Sequence, residues 1–163
     1  MRTSFFIILF ILFTAVKVDT KTNFVYNFFQ PKTEVAVELT LEEKLDTLLQ
    51  AIIQVESRGK NISGDNGNAS GILQIWKIQV DEVNRVSKLM NKKERFTYKD
   101  RWDEEKSKQM FFIYVEYWSK DLDFEKIARC WNGGPTGHKK KATLHYWKKV
   151  QFELEKQELL AEK

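Results

Sequence analysis

The stretch LTLEEKLDTLLQAIIQVESRGK, residues 39–60, predicts the amphipathic helix on which the fold is built. Thr40 followed three residues later by Glu43 is a capping box, which marks the start of a helix. An apolar stripe at helical spacing follows, formed by Leu41, Leu45, Leu48, Leu49, Ile52 and Ile53. Glu56 continues this stripe, so the pattern places a carboxyl group at the end of a hydrophobic helix face.

The position of Glu56 has a chemical consequence. A carboxyl group held against hydrocarbon is costly to ionise and keeps its proton closer to neutral pH. Such a group can act as a general acid and protonate the oxygen of a glycosidic bond. The alternative interpretation is a helix-terminal glutamate that simply reaches solvent.

The loop after this helix offers a second carboxyl group. Residues 59–71, GKNISGDNGNASG, are dense in Gly, Asn, Ser and Asp, which predicts tight turns. Asp65 in this loop either stabilises a turn or lies across a cleft from Glu56. Retaining glycosidases need two carboxyl groups about 5 Å apart, one donating the proton and the other stabilising or capturing the sugar cation.

The remaining chain predicts a mainly α domain. The run ILQI, residues 72–75, fits either a short strand or the entry to a helix. The turn Asn-Gly-Gly-Pro, residues 132–135, ends a helix because glycine permits left-handed backbone and proline forbids continuation. Further helices are predicted over residues 78–90, 102–118, 123–131 and from about residue 139 onward.

The two ends of the chain differ in character from its middle. Residues 1–20 carry the apolar run FFIILFILFTAV, too short for a comfortable membrane span, and predict a secretory signal peptide, with an uncleaved anchor as the alternative. Residues 21–38 predict a linker or N-terminal arm, residues 39–152 the folded domain, and residues 153–163 a charged tail. The expected location is therefore extracellular, or periplasmic in a bacterium.

Net charge and cysteine content limit the partners and cofactors that the chain is expected to bind. The 163 residues carry a formal net charge of +4, which favours anionic partners such as bacterial walls, nucleic acid or acidic membranes without selecting among them. No nucleic-acid-binding fold is recognisable, so nucleic acid is not expected as a partner. The one cysteine, Cys130, excludes an internal disulfide. No cluster of His, Cys and Asp suggests a metal, and no cofactor is expected.

Several motifs together resemble a known family. VES at residues 55–57, SGILQI at 70–75 and the Asn-Gly-Gly-Pro turn are similar to the lysozyme-like superfamily, which includes goose-type lysozymes and lytic transglycosylases (the SLT domain). ARCWNGGPTG at 128–137, followed by TLHYWKKV at 143–150, most resembles the invertebrate-type (destabilase-like) lysozymes. The chain departs from that group in having a single cysteine and in having Trp131 where the group often has histidine.

The resemblance implies a lysozyme-like α+β fold with a small loop or β element beside an active-site cleft. It assigns Glu56 and Asp65 as catalytic. Gly71 would let the backbone approach a ligand, Gln74 would hydrogen-bond an N-acetyl group or the catalytic carboxyl, and Tyr146 would orient Glu56. The expected substrate-binding residues are Ser70, Gly71, Gln74, Asn132, Gly133, Gly134 and Tyr146.

The expected function is a secreted antimicrobial muramidase, a glycoside hydrolase that cleaves the β-1,4 bond between N-acetylmuramic acid and N-acetylglucosamine in bacterial peptidoglycan. If Asp65 stays away from Glu56, the muramic acid 6-hydroxyl attacks instead, as in lytic transglycosylases, and gives an anhydro product. The alternative from another class is a wall-binding module or inhibitor that keeps the cleft but lacks the catalytic chemistry. We expect a monomer without stable membrane insertion.

Overall fold

A computed structural model describes residues 40–161, which form five α-helices and a small antiparallel sheet. The first helix, α1 (Leu41–Ser57), begins as predicted, because the Thr40 backbone N–H donates to Glu43 Oε2 at 2.7 Å and the Glu43 N–H donates to Thr40 Oγ1 at 3.3 Å. Its stripe is buried from Leu48 to Ile53. The predictions of a signal peptide in residues 1–20 and of a linker in residues 21–38 lie outside the described residues.

The sheet fills the predicted loop region. Strands β1 (Ile62–Gly64), β2 (Ala69–Gly71) and β3 (Ile75–Trp76) pair in that order, with Ile62 opposite Gly71 and Ser70 opposite Ile75. The run ILQI was open to two interpretations, a short strand or the entry to a helix. Its last residue, Ile75, begins strand β3, and this strand leads directly into the next helix. The predicted small β element is thereby confirmed.

Four further helices complete the described domain: α2 (Lys77–Leu89), α3 (Glu104–Trp118), α4 (Phe124–Gly133) and α5 (Leu144–Ala161). Helix α5 packs against α1 and α4, while α2 packs against α3. Phe111 and Met110 of α3 are fully buried at the centre of the core. The mainly α architecture of the described residues, with its small sheet, agrees with the prediction.

Two predicted boundaries are corrected. The last helix begins at Leu144 rather than near residue 139, since short 3₁₀ turns occupy Gly137–Lys139 and Lys141–Thr143. The residues predicted as a charged tail from 153 onward instead continue α5 as far as Ala161, and Leu154 packs against the core.

The described residues also bear on stabilisation and on membrane insertion. Cys130 is buried and free, so core packing replaces disulfides in this part of the chain. Between residues 40 and 161, every helix is too short or too polar to cross a bilayer. The same residues contain no cluster of His, Cys, Asp and Glu suited to a metal ion.

Candidate functional site

A cleft of about 370 Å³ opens between the end of α1, the sheet and the end of α4. Helix α1 contributes Glu56, the turn between β1 and β2 contributes Asp65, and the end of α4 contributes the Asn-Gly-Gly corner. The lining residues are Glu56, Asp65, Gln74, Trp76, Ile78, Gln79, Trp131, Asn132, Gly133 and Gly134. The fold thus gathers residues that are up to 78 positions apart in the sequence, 56 to 134.

Glu56 lies partly buried in this cleft, at the end of the apolar stripe that predicted it. The Tyr146 hydroxyl, on α5, donates a hydrogen bond of 2.7 Å to Glu56 Oε1. Burial away from water raises the pKa of Glu56 from 4.5 to about 7, with the Tyr146 hydrogen bond and Lys149 opposing the rise and the charge of Asp65 adding to it. Near neutral pH the group therefore exchanges its proton readily, as an acid–base catalyst must.

Asp65 reaches the cleft through a strained turn. Asp65 and Asn66 both have positive φ, 46° and 56°, inside the short 3₁₀ turn Asp65–Gly67. The Asn68 side-chain amide donates to the Asp65 carbonyl at 2.9 Å and holds this turn. Asp65 thus forms part of a turn, as one interpretation predicted, and it lines the same cleft as Glu56, while its role in catalysis stays a prediction.

Gln74 lines the cleft but uses its amide for structure. Its Nε2 donates to the carbonyls of Ile62 at 2.9 Å and Gly71 at 2.8 Å, which ties the turn before β3 to β1. Its side-chain oxygen lies against Gly64, where an added Cβ would come within 1.9 Å. The predicted contact with the Glu56 carboxyl group is absent from the hydrogen bonds of the described residues.

Ser70 and Gly71 are corrected, because neither lines the cleft. Ser70 is 2% exposed within β2. Gly71 has φ +83°, and a Cβ there would lie 1.8 Å from the Arg101 carbonyl oxygen. The close backbone approach that the sequence suggested at Gly71 is thus real, but it is an approach to another segment of the chain rather than to a ligand.

The Asn-Gly-Gly corner forms one wall of the cleft. Helix α4 ends at Gly133, and Gly134 follows with φ +80°. The Lys140 ammonium donates to the Gly133 carbonyl at 2.6 Å and fixes the corner from behind. Asn132, Gly133 and Gly134 therefore lie where the sequence predicted, while Tyr146 acts from beneath the cleft through Glu56.

Four lining residues were not among the predicted site residues: Trp76, Ile78, Gln79 and Trp131. Alternation along β3 buries Ile75 completely and leaves Trp76 42% exposed, but a strand of two residues is too short for this alternation to be recognised in the sequence. Gln79 accepts from the Trp76 N–H at 2.7 Å and donates to the Trp131 carbonyl at 3.2 Å. Gln79 thereby joins the start of α2 to the end of α4 across the cleft.

Comparison with known proteins adds one structural likeness. A chain in the crystal structure of Aeromonas hydrophila PliI in complex with Meretrix lusoria lysozyme matches with a TM-score of 0.54 and 25% sequence identity, over 64% of this chain and 86% of that one. No family model matches the chain, and no curated protein matches it.

This comparison corrects the predicted function. The matching structure is one of PliI, which is in complex there with a lysozyme. It contradicts the prediction of a peptidoglycan muramidase, and that prediction is withdrawn together with its transglycosylase and cell-wall-binding alternatives and with peptidoglycan as the partner. The roles predicted for individual residues of the cleft stay predictions.

Proposed function

We propose that the chain binds a protein partner through the Glu56–Asp65 cleft, in a complex like that of PliI with lysozyme. The likeness to a chain from that complex is the observation that carries the proposal. The cleft offers a protruding protein loop two carboxyl groups as hydrogen-bond acceptors, from Glu56 and Asp65, and a partly exposed aromatic side chain, Trp76. Secretion from a signal in residues 1–20 stays part of the same proposal.

Trp76 is the expected anchor of this interface. It lines the cleft, is 42% exposed, and is followed by Ile78, which is 72% exposed. Exposed tryptophans that become buried on binding contribute more to affinity than most other residues. A partner that covers Trp76 and Ile78 gains apolar burial. Hydrogen-bond donors of its inserted loop bind the carboxyl groups of Glu56 and Asp65.

The test measures binding of the full chain to both proteins of the related complex, immobilised Meretrix lusoria lysozyme and immobilised Aeromonas hydrophila PliI. We expect binding to one of them, with Trp76→Ala weakening it by about 30-fold, the effect of losing about 2 kcal/mol at a hot spot. Trp102→Ala is the matched control, because Trp102 is also 42% exposed but does not line the cleft. Binding to neither protein, or equal losses in the two variants, would contradict the proposal.

A second candidate rests on a different observation, the setting of Glu56: its carboxyl group lines the cleft, is partly buried and accepts a hydrogen bond of 2.7 Å from the Tyr146 hydroxyl, and burial raises its pKa to about 7. Membership of the lysozyme-like superfamily stays a proposal. The enzyme class that the resemblance implied, a glycoside hydrolase, also stays a proposal, but peptidoglycan is no longer its assigned substrate. In this candidate Glu56 donates its proton to the leaving oxygen of a sugar acetal as the bond between that oxygen and the anomeric carbon breaks. Water then adds to the anomeric carbon and gives up a proton that restores Glu56, and Tyr146 orients the carboxyl group.

The acid–base candidate is tested on a soluble β-1,4-linked N-acetylglucosamine oligosaccharide by assay of new reducing ends. We expect slow cleavage that declines as pH rises above 7, where Glu56 loses its proton. Glu56→Gln should abolish it, and Glu43→Gln, at the other end of α1, should not. Cleavage that survives Glu56→Gln would exclude this candidate.

A further inference from the structure

A second groove runs along α5 and shares no lining residue with the cleft. Its volume is about 530 Å³, within the range of sites that bind ligands. The end of α1 forms one side of it and one face of α5 forms the other. It is lined by Val55, Arg58, His145, Lys148, Lys149, Phe152 and Glu153.

The charge of this groove is not neutralised by the surrounding protein. Within residues 40–161, Arg58, Lys148 and Lys149 have no carboxylate within 4 Å, whereas Lys106, for example, pairs with Asp100 at 2.6 Å. The acidic residue of the groove, Glu153, is paired with Lys156 at 3.3 Å. Three cationic side chains therefore line one groove without an ion-pair partner, although Lys149 also interacts electrostatically with Glu56.

The arrangement of these side chains is ordered along the helix. Lys148, Lys149 and Phe152 follow His145 by three, four and seven positions, so these four residues share one face of α5 over about 10 Å. Arg58 joins them from α1, where it ends the helix in the left-handed conformation with φ 56°. Phe152 is 63% exposed, which places an uncovered aromatic ring beside the cations.

We propose that this groove binds an acidic peptide segment in which carboxylate side chains lie next to an apolar residue. The carboxylates would pair with Arg58, Lys148 and Lys149, and the apolar residue would cover Phe152. Such a segment explains both features, because a sulfated polysaccharide supplies charge without an apolar side chain, and a flat membrane surface does not enter a concave groove. The inference is independent of the proposed function, since the two sites share no residue.

The experiment measures fluorescence anisotropy of labelled hexapeptides that alternate Glu with Phe, with a Lys–Phe hexapeptide as the charge-reversed probe. The full chain should bind the Glu–Phe peptide and not the Lys–Phe peptide. We expect Lys148→Glu to weaken binding about tenfold, since it replaces an attraction by a repulsion. Phe152→Ala, which keeps every charge, should weaken it about fivefold through lost apolar burial.

Lys93→Glu is the matched control, because Lys93 is exposed and outside the groove but carries the same charge change. Equal weakening by Lys148→Glu and Lys93→Glu would overturn the proposal, since binding would then follow net charge alone. Binding of dextran sulfate or of anionic lipid vesicles in place of the Glu–Phe peptide would also overturn it and would assign the groove to that other ligand. Absence of all binding would refute it outright.

Discussion

Replacing Gly71 by alanine should lower the free energy of unfolding by about 4 kcal/mol, among the larger losses that single substitutions produce. Two costs combine at this position. The backbone has φ +83°, which an L-residue adopts only with strain. The added Cβ would lie 1.8 Å from the Arg101 carbonyl oxygen and 3.0 Å from its carbon, so one of the two segments must move.

The Arg101 segment is poorly able to move. The Ser107 hydroxyl donates to the Arg101 carbonyl at 3.0 Å, and the Arg101 guanidinium donates to the carbonyls of Asn68 at 3.0 Å and Ile75 at 2.9 Å. The side chain of Arg101 is 6% exposed, so these bonds are shielded from water. Displacing the carbonyl would disrupt buried hydrogen bonds, each costly to leave unmade.

Gly67→Ala separates the two costs. Gly67 has φ +91°, but nothing lies within 4 Å of its added Cβ, so it incurs the backbone strain without the collision. We expect it to lose only about 1 kcal/mol. Urea unfolding followed by circular dichroism gives both values, and similar losses in the two variants would show that the approach of Gly71 to Arg101 is looser than the structure indicates.

At Gly71 the sequence predicted a close backbone approach but not the segment that is approached. The glycine-rich loop correctly indicated tight backbone and close approach, but the partner, Arg101, lies thirty positions later in a segment that carries no pattern linking it to the loop. By contrast, α1 was predictable because its capping box and apolar stripe are local features. Local signals predict an element, whereas the contacts between elements depend on how the whole chain packs.

The same division applies to the cleft. The burial of Glu56 followed from its place on the apolar stripe, and the Asn-Gly-Gly corner from the turn chemistry of residues 132–135. The rim formed by Trp76 was missed because strand β3 has only two residues, too few for alternation to be recognised. Gln79 was missed because its role is to bridge Trp76 and Trp131, which are 55 positions apart.

Replacing Glu56 by glutamine should make the protein more stable at pH 8, by about 2 kcal/mol, and change its stability little at pH 4. The direction follows from the pKa of Glu56, which is about 7 in the folded protein against 4.5 for an ordinary glutamate. Between these two values the folded state holds a proton that the unfolded state has released. The free energy of unfolding of the unmodified protein therefore falls as pH rises from about 4.5 to about 7.

Glutamine at position 56 removes the cost of ionising a partly buried carboxyl group and keeps the hydrogen bond with Tyr146. It has nearly the shape of glutamate, and its carbonyl oxygen can still accept the hydrogen bond from the Tyr146 hydroxyl. It carries no charge to desolvate, so the fall in stability between about pH 4.5 and 7 should disappear from the variant. Below about pH 4.5 both proteins carry a neutral group at this position and should unfold alike.

Glu43→Gln is the control of opposite sign. The Thr40 backbone and side chain hold the pKa of Glu43 below its usual value, so the ionised form stabilises the fold. Glu43→Gln should therefore be less stable than the unmodified protein at pH 8, while Glu56→Gln is more stable, and urea unfolding at several pH values measures both. A difference between Glu56→Gln and the unmodified protein that stays constant from pH 4 to pH 8 would contradict the raised pKa. A carboxyl group that weakens the fold at neutral pH is typical of a position kept for function, and this holds whether Glu56 meets a protein loop or a sugar acetal.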